Sequence, residues 1–120
     1  MNDIRVVITS LPGTWQKILQ DGLASHPMVK IVAVAHGSLL AVQLVNAQRP
    51  DLLLIDSSIP IEDAAAIVER VKQENPAIAC LVIAETTNQR RRMIQAGADF
   101  ALSSFKYESQ IGDILNQFKV

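Results

Sequence analysis

The chain is poor in cysteine, aromatic residues and net charge, and each shortage narrows what it can do. Cys80 is the only cysteine among 120 residues, which excludes an internal disulfide framework and fits a reducing compartment. It lies inside the apolar run Ala79 to Ala84 and reads as a small buried hydrophobe. Aromatic residues make up 4% of the chain, so only Trp15 and Tyr107 offer themselves for stacking on a planar cofactor. A formal net charge of −1 gives no global pull toward nucleic acid or anionic membrane. His26 and His36 stand far apart, each beside turn residues, without the spacing of metal ligands. No apolar stretch approaches the about 20 residues needed to span a bilayer, and the first residues lack the basic segment, apolar core and cleavage site of a leader. The expectation is one soluble, cytoplasmic domain over residues 1–120, with 49% hydrophobic residues to fill a single core.

What is present is a regular alternation of strand-like and helix-like segments. Ile4 to Ile8 is rich in β-branched residues and reads as a strand. Leu11-Pro12-Gly13 breaks it, and Thr14 is placed to cap a helix from Trp15 to Ala24 with Ile18, Leu19 and Leu23 as its apolar stripe. Val29 to Ala35 reads as the second strand, His36-Gly37-Ser38 as turn and cap, and Leu39 to Gln48 as a helix showing Leu40, Leu44 and Ala47 on one side. Asp51 to Ile55 is the third strand and Glu62 to Glu74 the third helix, stopped by Asn75-Pro76. Ala79 to Ala84 is the fourth strand. Asn88 to Ala96 is a short helix with Gly97 as its C-cap. Phe100 to Leu102 and Glu108 to Lys119 supply the fifth strand and fifth helix. Such βαβ alternation predicts a doubly wound parallel sheet, and right-handed crossovers favour the order 2-1-3-4-5.

Within that pattern, the stretch from Pro50 to Pro60 is the most informative. Leu52-Leu53-Leu54-Ile55 has the uninterrupted apolar character of a strand buried on both faces. It ends in Asp56, followed by Ser57-Ser58 and the turn-forcing Pro60. Ligands bind at the carboxyl ends of strands where the strand order reverses. That crevice is flanked here by Thr9-Ser10-Leu11 and by Asp56.

The block Arg49-Pro50-Asp51 through Asp56 to Pro60 and Asp63, with Ile4-Arg5-Val6-Val7-Ile8 before it and Ala96-Gly97-Ala98-Asp99 after it, resembles the receiver domain of bacterial response regulators. The likeness covers nearly the whole chain and is greatest to receivers that precede helix-turn-helix transcription factors. It implies a flavodoxin-like fold and a role in two-component signalling, where an aspartate accepts a phosphoryl group from a histidine kinase. It also implies a magnesium ion held by an acidic pair after the first strand, a hydroxyl residue ending the fourth strand and a lysine ending the fifth, which together neutralise the transferring group.

Carried over residue by residue, the resemblance puts the phosphoacceptor position at Asp56 and leaves most of the remaining positions altered. The acidic pair falls at Ser10 and Leu11, and no carboxylate occurs from Ile4 to Gln20. The hydroxyl position falls at Ala84, with Thr86 and Thr87 as substitutes if the loop repacks. The lysine position falls at Ser104, with Lys106 two residues on. The aromatic residue that usually moves with phosphorylation falls at Ala101. With one carboxylate the magnesium ion is in doubt, so no cofactor is expected. Loss of each preorganised electrostatic contact costs about 3–4 kcal/mol of barrier, which predicts very slow phosphotransfer.

The expected function is therefore that of an atypical, non-enzymatic receiver signalling by protein contact. Two alternatives stay open: a phosphorylatable receiver with a rearranged site around Asp56, and a nucleotide- or phosphate-binding protein that uses the Thr9 to Thr14 loop. Asp56 could equally cap its own turn by accepting backbone N–H groups, and Asp51 and Asp99 read as structural. Arg90-Arg91-Arg92 form a candidate interaction surface on the fourth helix, on the side (fourth helix, fifth strand, fifth helix) that receivers use for dimerisation or output. The expected partner is a protein, either a histidine kinase or an output protein, with a homodimer through that side as a further possibility. No groove-reading motif appears, so this domain is not expected to contact nucleic acid.

Overall fold

The computed structural model describes residues 3–118. Its strands are β1 (Ile4–Thr9), β2 (Val29–Ala35), β3 (Leu52–Ile55), β4 (Ala79–Ile83) and β5 (Phe100–Leu102). Its helices are α1 (Thr14–Ala24), α2 (Ser38–Gln48), α3 (Ile61–Glu74), α4 (Thr87–Ala96) and α5 (Ser104–Asn116). All neighbouring strands pair in parallel, in the order β2-β1-β3-β4-β5. This is the flavodoxin-like architecture that the alternating pattern predicts, with the reversal of strand order between β1 and β3.

Period-two alternation sends each strand's side chains to two cores. Val7, Leu53, Ile55, Cys80 and Val82 pack under α2, α3 and α4. Val6, Ile8, Leu52, Leu54 and Leu81 pack under α1 and α5. All four residues of β3 are fully buried, which contributes roughly 2 kcal/mol each and anchors the strand that delivers Asp56.

Several local expectations need correction. Thr14 and Ser38 do not cap their helices; Gly13 and Gly37 are the N-cap residues, and neither helix has a side-chain cap. Gly13 has a φ of 151°, a conformation that favours glycine. On α1 the core residues are Leu19 and Leu23, while Ile18 stays 54% exposed. On α2 the buried residues are Ala41 and Val45, and Leu40 and Ala47 are exposed. That helix is apolar on several faces, so spacing alone could not say which face packs. The fifth helix begins at Ser104, four residues before the expected Glu108, because Ser103 serves as its N-cap and accepts from the Lys106 N–H at 3.2 Å. Its expected end at Lys119 lies outside the described residues. Gly97 does close α4 in the left-handed region, with φ 112°.

Candidate functional site

The switch point between β1 and β3 is closed by backbone and side-chain bonds together. The Asp56 N–H donates to Thr9 O at 3.1 Å, and the Ser10 N–H to Ala35 O at 2.9 Å. Asp56 is 1% exposed and Ser10 fully buried. The Ser10 hydroxyl donates to Asp56 Oδ2. On the other side the Ser58 N–H donates to Asp56 Oδ1 at 2.9 Å, and so does the Ser58 hydroxyl. Ser58 Oγ in turn accepts from the Leu11 N–H at 2.9 Å.

Both carboxylate oxygens of Asp56 are therefore engaged by neighbours from the two crevice loops. Three donors compensate its burial, and no cation lies within 4 Å of it among the described residues. The Ser58 N–H bond is the Asx turn that an aspartate two residues earlier makes. The bond from Ser10 spans 46 positions and had no local signal. His36 joins the same corner: its Nδ1–H donates to Ser10 O across 3.1 Å, which leaves Nε2 unprotonated in the neutral ring.

The other altered positions surround this corner without reaching Asp56. Ala84 is fully buried, and its N–H donates to Leu102 O at 2.8 Å. Thr86 and Thr87 are exposed, and both serve α4. Thr86 Oγ1 accepts from the Gln89 N–H at 3.1 Å and the Gln89 side chain accepts from the Thr86 N–H, a complete capping box. Thr87 Oγ1 accepts from Arg90 at 3.3 Å. Lys106 sits exposed on the first turn of α5, because β5 ends regularly at Leu102. In its place Glu85, which the sequence did not single out, accepts from the Ser104 N–H at 3.0 Å. A carboxylate thus occupies the positive end of α5.

The arginine run divides its work. Arg90 Nη1 donates to Ala84 O at 2.9 Å, so its guanidinium lies against the end of β4. Arg92 makes a two-pronged pair with Glu62 of α3, at 3.1 and 3.2 Å. Among the described residues Arg91 hydrogen-bonds Asn88, at 3.4 Å, and it faces solvent.

A magnesium ion of the kind receivers hold does not fit these residues. Asp56 brings a carboxylate to the crevice, and hydroxyl and N–H donors already engage both its oxygens. Among the described residues no group of three or more His, Cys, Asp or Glu side chains could hold a metal ion. In the loop from Thr9 to Thr14, part of the backbone donor set is already spent. The N–H groups of Ser10 and Leu11 are bonded within the domain, and Pro12 has none.

Comparison with known proteins agrees with this architecture. The family model of the response regulator receiver domain matches residues 13–109, a span that starts just after the altered Ser10-Leu11 pair. The protein-glutamate methylesterase/protein-glutamine glutaminase of Desulfotalea psychrophila is 23% identical over 92% of this chain, but over 30% of its own length. The chain spans less than a third of the curated relatives it matches. The signal receiver domain of the response regulator NarL from Mycobacterium tuberculosis superposes with a TM-score of 0.84 at 21% identity, covering 98% of this chain and 96% of that one. The receiver domain of Thermotoga maritima CheB does so with 0.77 at 17% identity, covering 97% and 93%. The family match takes in Asp56 and every element from α1 to β5, and with it this chain belongs to the response regulator receiver domains of two-component signalling.

Proposed function

We propose that this receiver works as a protein-contact module and that Asp56 takes part in phosphotransfer weakly or not at all. The observation that carries the reading is the engagement of both Asp56 oxygens by Ser10 and Ser58. An incoming phosphoryl group would have to break those bonds before the carboxylate could attack. It would then meet no acidic pair to hold magnesium and no lysine from the β5 end. Two like-charged groups would approach with little compensation, and the loss of two or three such contacts slows the step by several powers of ten, less than additively.

Glu85 supports the same reading. In a phosphorylated receiver the ends of β4 and β5 are joined by their shared contacts to the phosphoryl group. Here a carboxylate from the β4–α4 loop already holds the start of α5. The domain would keep one arrangement and present one surface. Its contact face would be α4–β5–α5, where Phe105 is 78% exposed, Ile94 is 52% exposed and Arg91 has no ionic partner among the described residues. A histidine kinase, an output protein or a second copy of the chain would meet that face. The domain itself has no catalytic role in this reading.

A second reading has one observation in its favour. Arg90 brings a cation to the end of β4, where it could pair with a phosphoryl group on Asp56 after the Ser10 bond opens. One titration separates the two. Magnesium and beryllofluoride are added while the fluorescence of Trp15, the sole tryptophan, is followed. No saturable change is expected. A saturable change that Asp56→Asn removes would sink the contact-only reading, and its loss in Arg90→Met would identify the cation.

A further inference from the structure

The apolar stripe Leu40, Leu44 and Ala47 on α2 is not spent on the core. Ala41 and Val45 are the buried residues of that helix. Asn46 marks the side toward α3, since it donates to Glu74 at 3.2 Å and accepts from Asn75 at 2.9 Å. At about 100° per residue the stripe lies roughly 120° round the helix from Asn46, away from α3 and above the free edge of the sheet. Leu44 is partly buried against the core, but Leu40 is 41% exposed and Leu39 beside it 74%.

The edge below the stripe is equally bare. β2 is the outermost strand on this side, with one row of N–H and C=O groups turned outward. Edge strands are ordinarily guarded by charge or proline; from Ile31 to Ala35 there is neither. Onward through α2, no Asp, Glu, Lys or Arg occurs from Ile31 to Gln48. Yet all of these residues except Ala35, Ala41 and Val45 reach the surface at least in part. A surface helix normally carries charge on its outer face, and depletion of charge is the compositional mark of an interface core. A bulge at Val32, between Ile31 opposite Val6 and Ala33 opposite Val7, twists the edge, so the helix and not a continuous β-ladder would carry a contact here.

We infer that two copies of this chain form a two-fold dimer through α2 and the edge of β2. The surface fits itself. With the helices antiparallel about an axis beside Leu44, the two Leu44 side chains meet at the axis and each Leu40 lies against the small Ala47 of the other copy. A partner with a charged face would have to bury those charges unpaired, whereas a second copy brings none. A specific dimer buries about 800 Å² per partner, roughly an eighth of the chain's 6388 Å² of surface. Residues 31–48 are 18 of the 120, a share of the same order. β5 is the opposite edge of the sheet, so the dimer turns two α4–β5–α5 faces outward. The pairing holds whatever those faces bind.

Sedimentation equilibrium of the whole chain is expected to show a monomer–dimer equilibrium with Kd on the order of 10 μM, little changed by salt because no charges meet. Leu40→Glu, at a side chain already exposed, should keep the circular dichroism spectrum and weaken the dimer about 100-fold, since it buries two unpaired carboxylates. Ala47→Lys should weaken it similarly. Combining the two substitutions in one chain sets each new carboxylate against a new ammonium of the other copy and should recover about tenfold or more. Phe105→Ala, on the α4–β5–α5 side, should leave this equilibrium unchanged. A chain that stays monomeric at millimolar concentration would overturn the assignment. So would a dimer lost in Phe105→Ala but kept in Leu40→Glu, or no recovery in the double variant.

Discussion

The two edges of the sheet treat their aspartates differently. At the edge where the strands begin, Asp51 accepts from the Arg5 N–H at 2.9 Å, and Asp99 accepts from the Cys80 N–H at 2.8 Å. Asp99 is paired with a cation, and at this edge two cationic side chains gather backbone carbonyls. Lys72 Nζ donates to Asp99 at 3.0 Å, Ile78 O at 2.9 Å and Pro76 O at 3.0 Å. The Arg5 guanidinium donates to Gln48 O and to Arg49 O. At the edge where the strands end, Asp56 is held by hydroxyls and one N–H, with no ionic partner within 4 Å among the described residues. At the first edge the Asp99 carboxylate closes the sheet through a charge pair with Lys72. The carboxylate at the second edge sits in a neutral plug, and a plug of that kind holds the crevice shut without preparing it for an anion.

Breaking the charged edge should have the largest effect. Lys72→Ala removes three hydrogen bonds from a side chain only 22% exposed and strands the Asp99 carboxylate beside the Cys80 N–H. A loss of about 3 kcal/mol is expected, visible as a lower urea midpoint with an unchanged slope. A loss under about 1 kcal/mol would mean that solvent replaces the cation and that the two edges are alike.

Asp56→Ala should cost about 2 kcal/mol, because the buried Ser10 hydroxyl and the Ser58 N–H lose their acceptor. Asp56→Asn, which keeps one acceptor oxygen and gains a donor for Ser10 Oγ, should cost less than half as much. The sign matters more than the size. A gain in stability for Asp56→Ala would show that the carboxylate is kept against stability, as reactive groups are, and the contrast between plug and clamp would fall.

A third contrast is in pH. Burial pushes the Cys80 thiol, on the clamped side of β4, up to about 12 from an ordinary value of 9.0. Its folded pKa exceeds its unfolded one, so the folded state binds more protons between those values. The stability is intact below about pH 9 and falls as pH rises toward 12. At pH 10 the loss should be about 1.4 kcal/mol relative to pH 7. Cys80→Ala should remove that pH-dependent part, and an unchanged slope in the variant would assign it to other groups.

The fold was legible in the sequence because β1 to β5 are apolar runs bounded by turn residues, and every strand lies within a residue of its expected place. The start of α5 was not. Ser103-Ser104-Phe105-Lys106 has no apolar periodicity, because its one large hydrophobe, Phe105, faces solvent, and Ser103 acts as a cap without a carboxamide or carboxylate three residues on. At the crevice, the Asx turn of Asp56 onto Ser58 follows from local spacing. The Ser10 bond and the Glu85 contact join residues 46 and 19 positions apart, and only the strand order brings them together. The sequence could show that Ser10 lacks a carboxylate, but not that its hydroxyl would hold Asp56.

The smallest effects belong to α4, where the arginine run tests whether surface charge here stabilises or recognises. Arg92→Ala breaks a pair whose Glu62 side chain is 74% exposed, and pairs of that exposure are worth at most about 0.5 kcal/mol. Arg91→Ala removes one long contact to Asn88 and should leave the urea midpoint unchanged. If α4–β5–α5 is the contact face, the ranking reverses in an association measurement. Sedimentation of the isolated chain, or titration with a purified partner, should then respond to Arg91→Ala and Phe105→Ala and far less to Arg92→Ala, because Arg92 is already committed to α3. Equal responses to both arginines would mean that the run acts as diffuse positive charge, and the effect should then disappear as salt is raised.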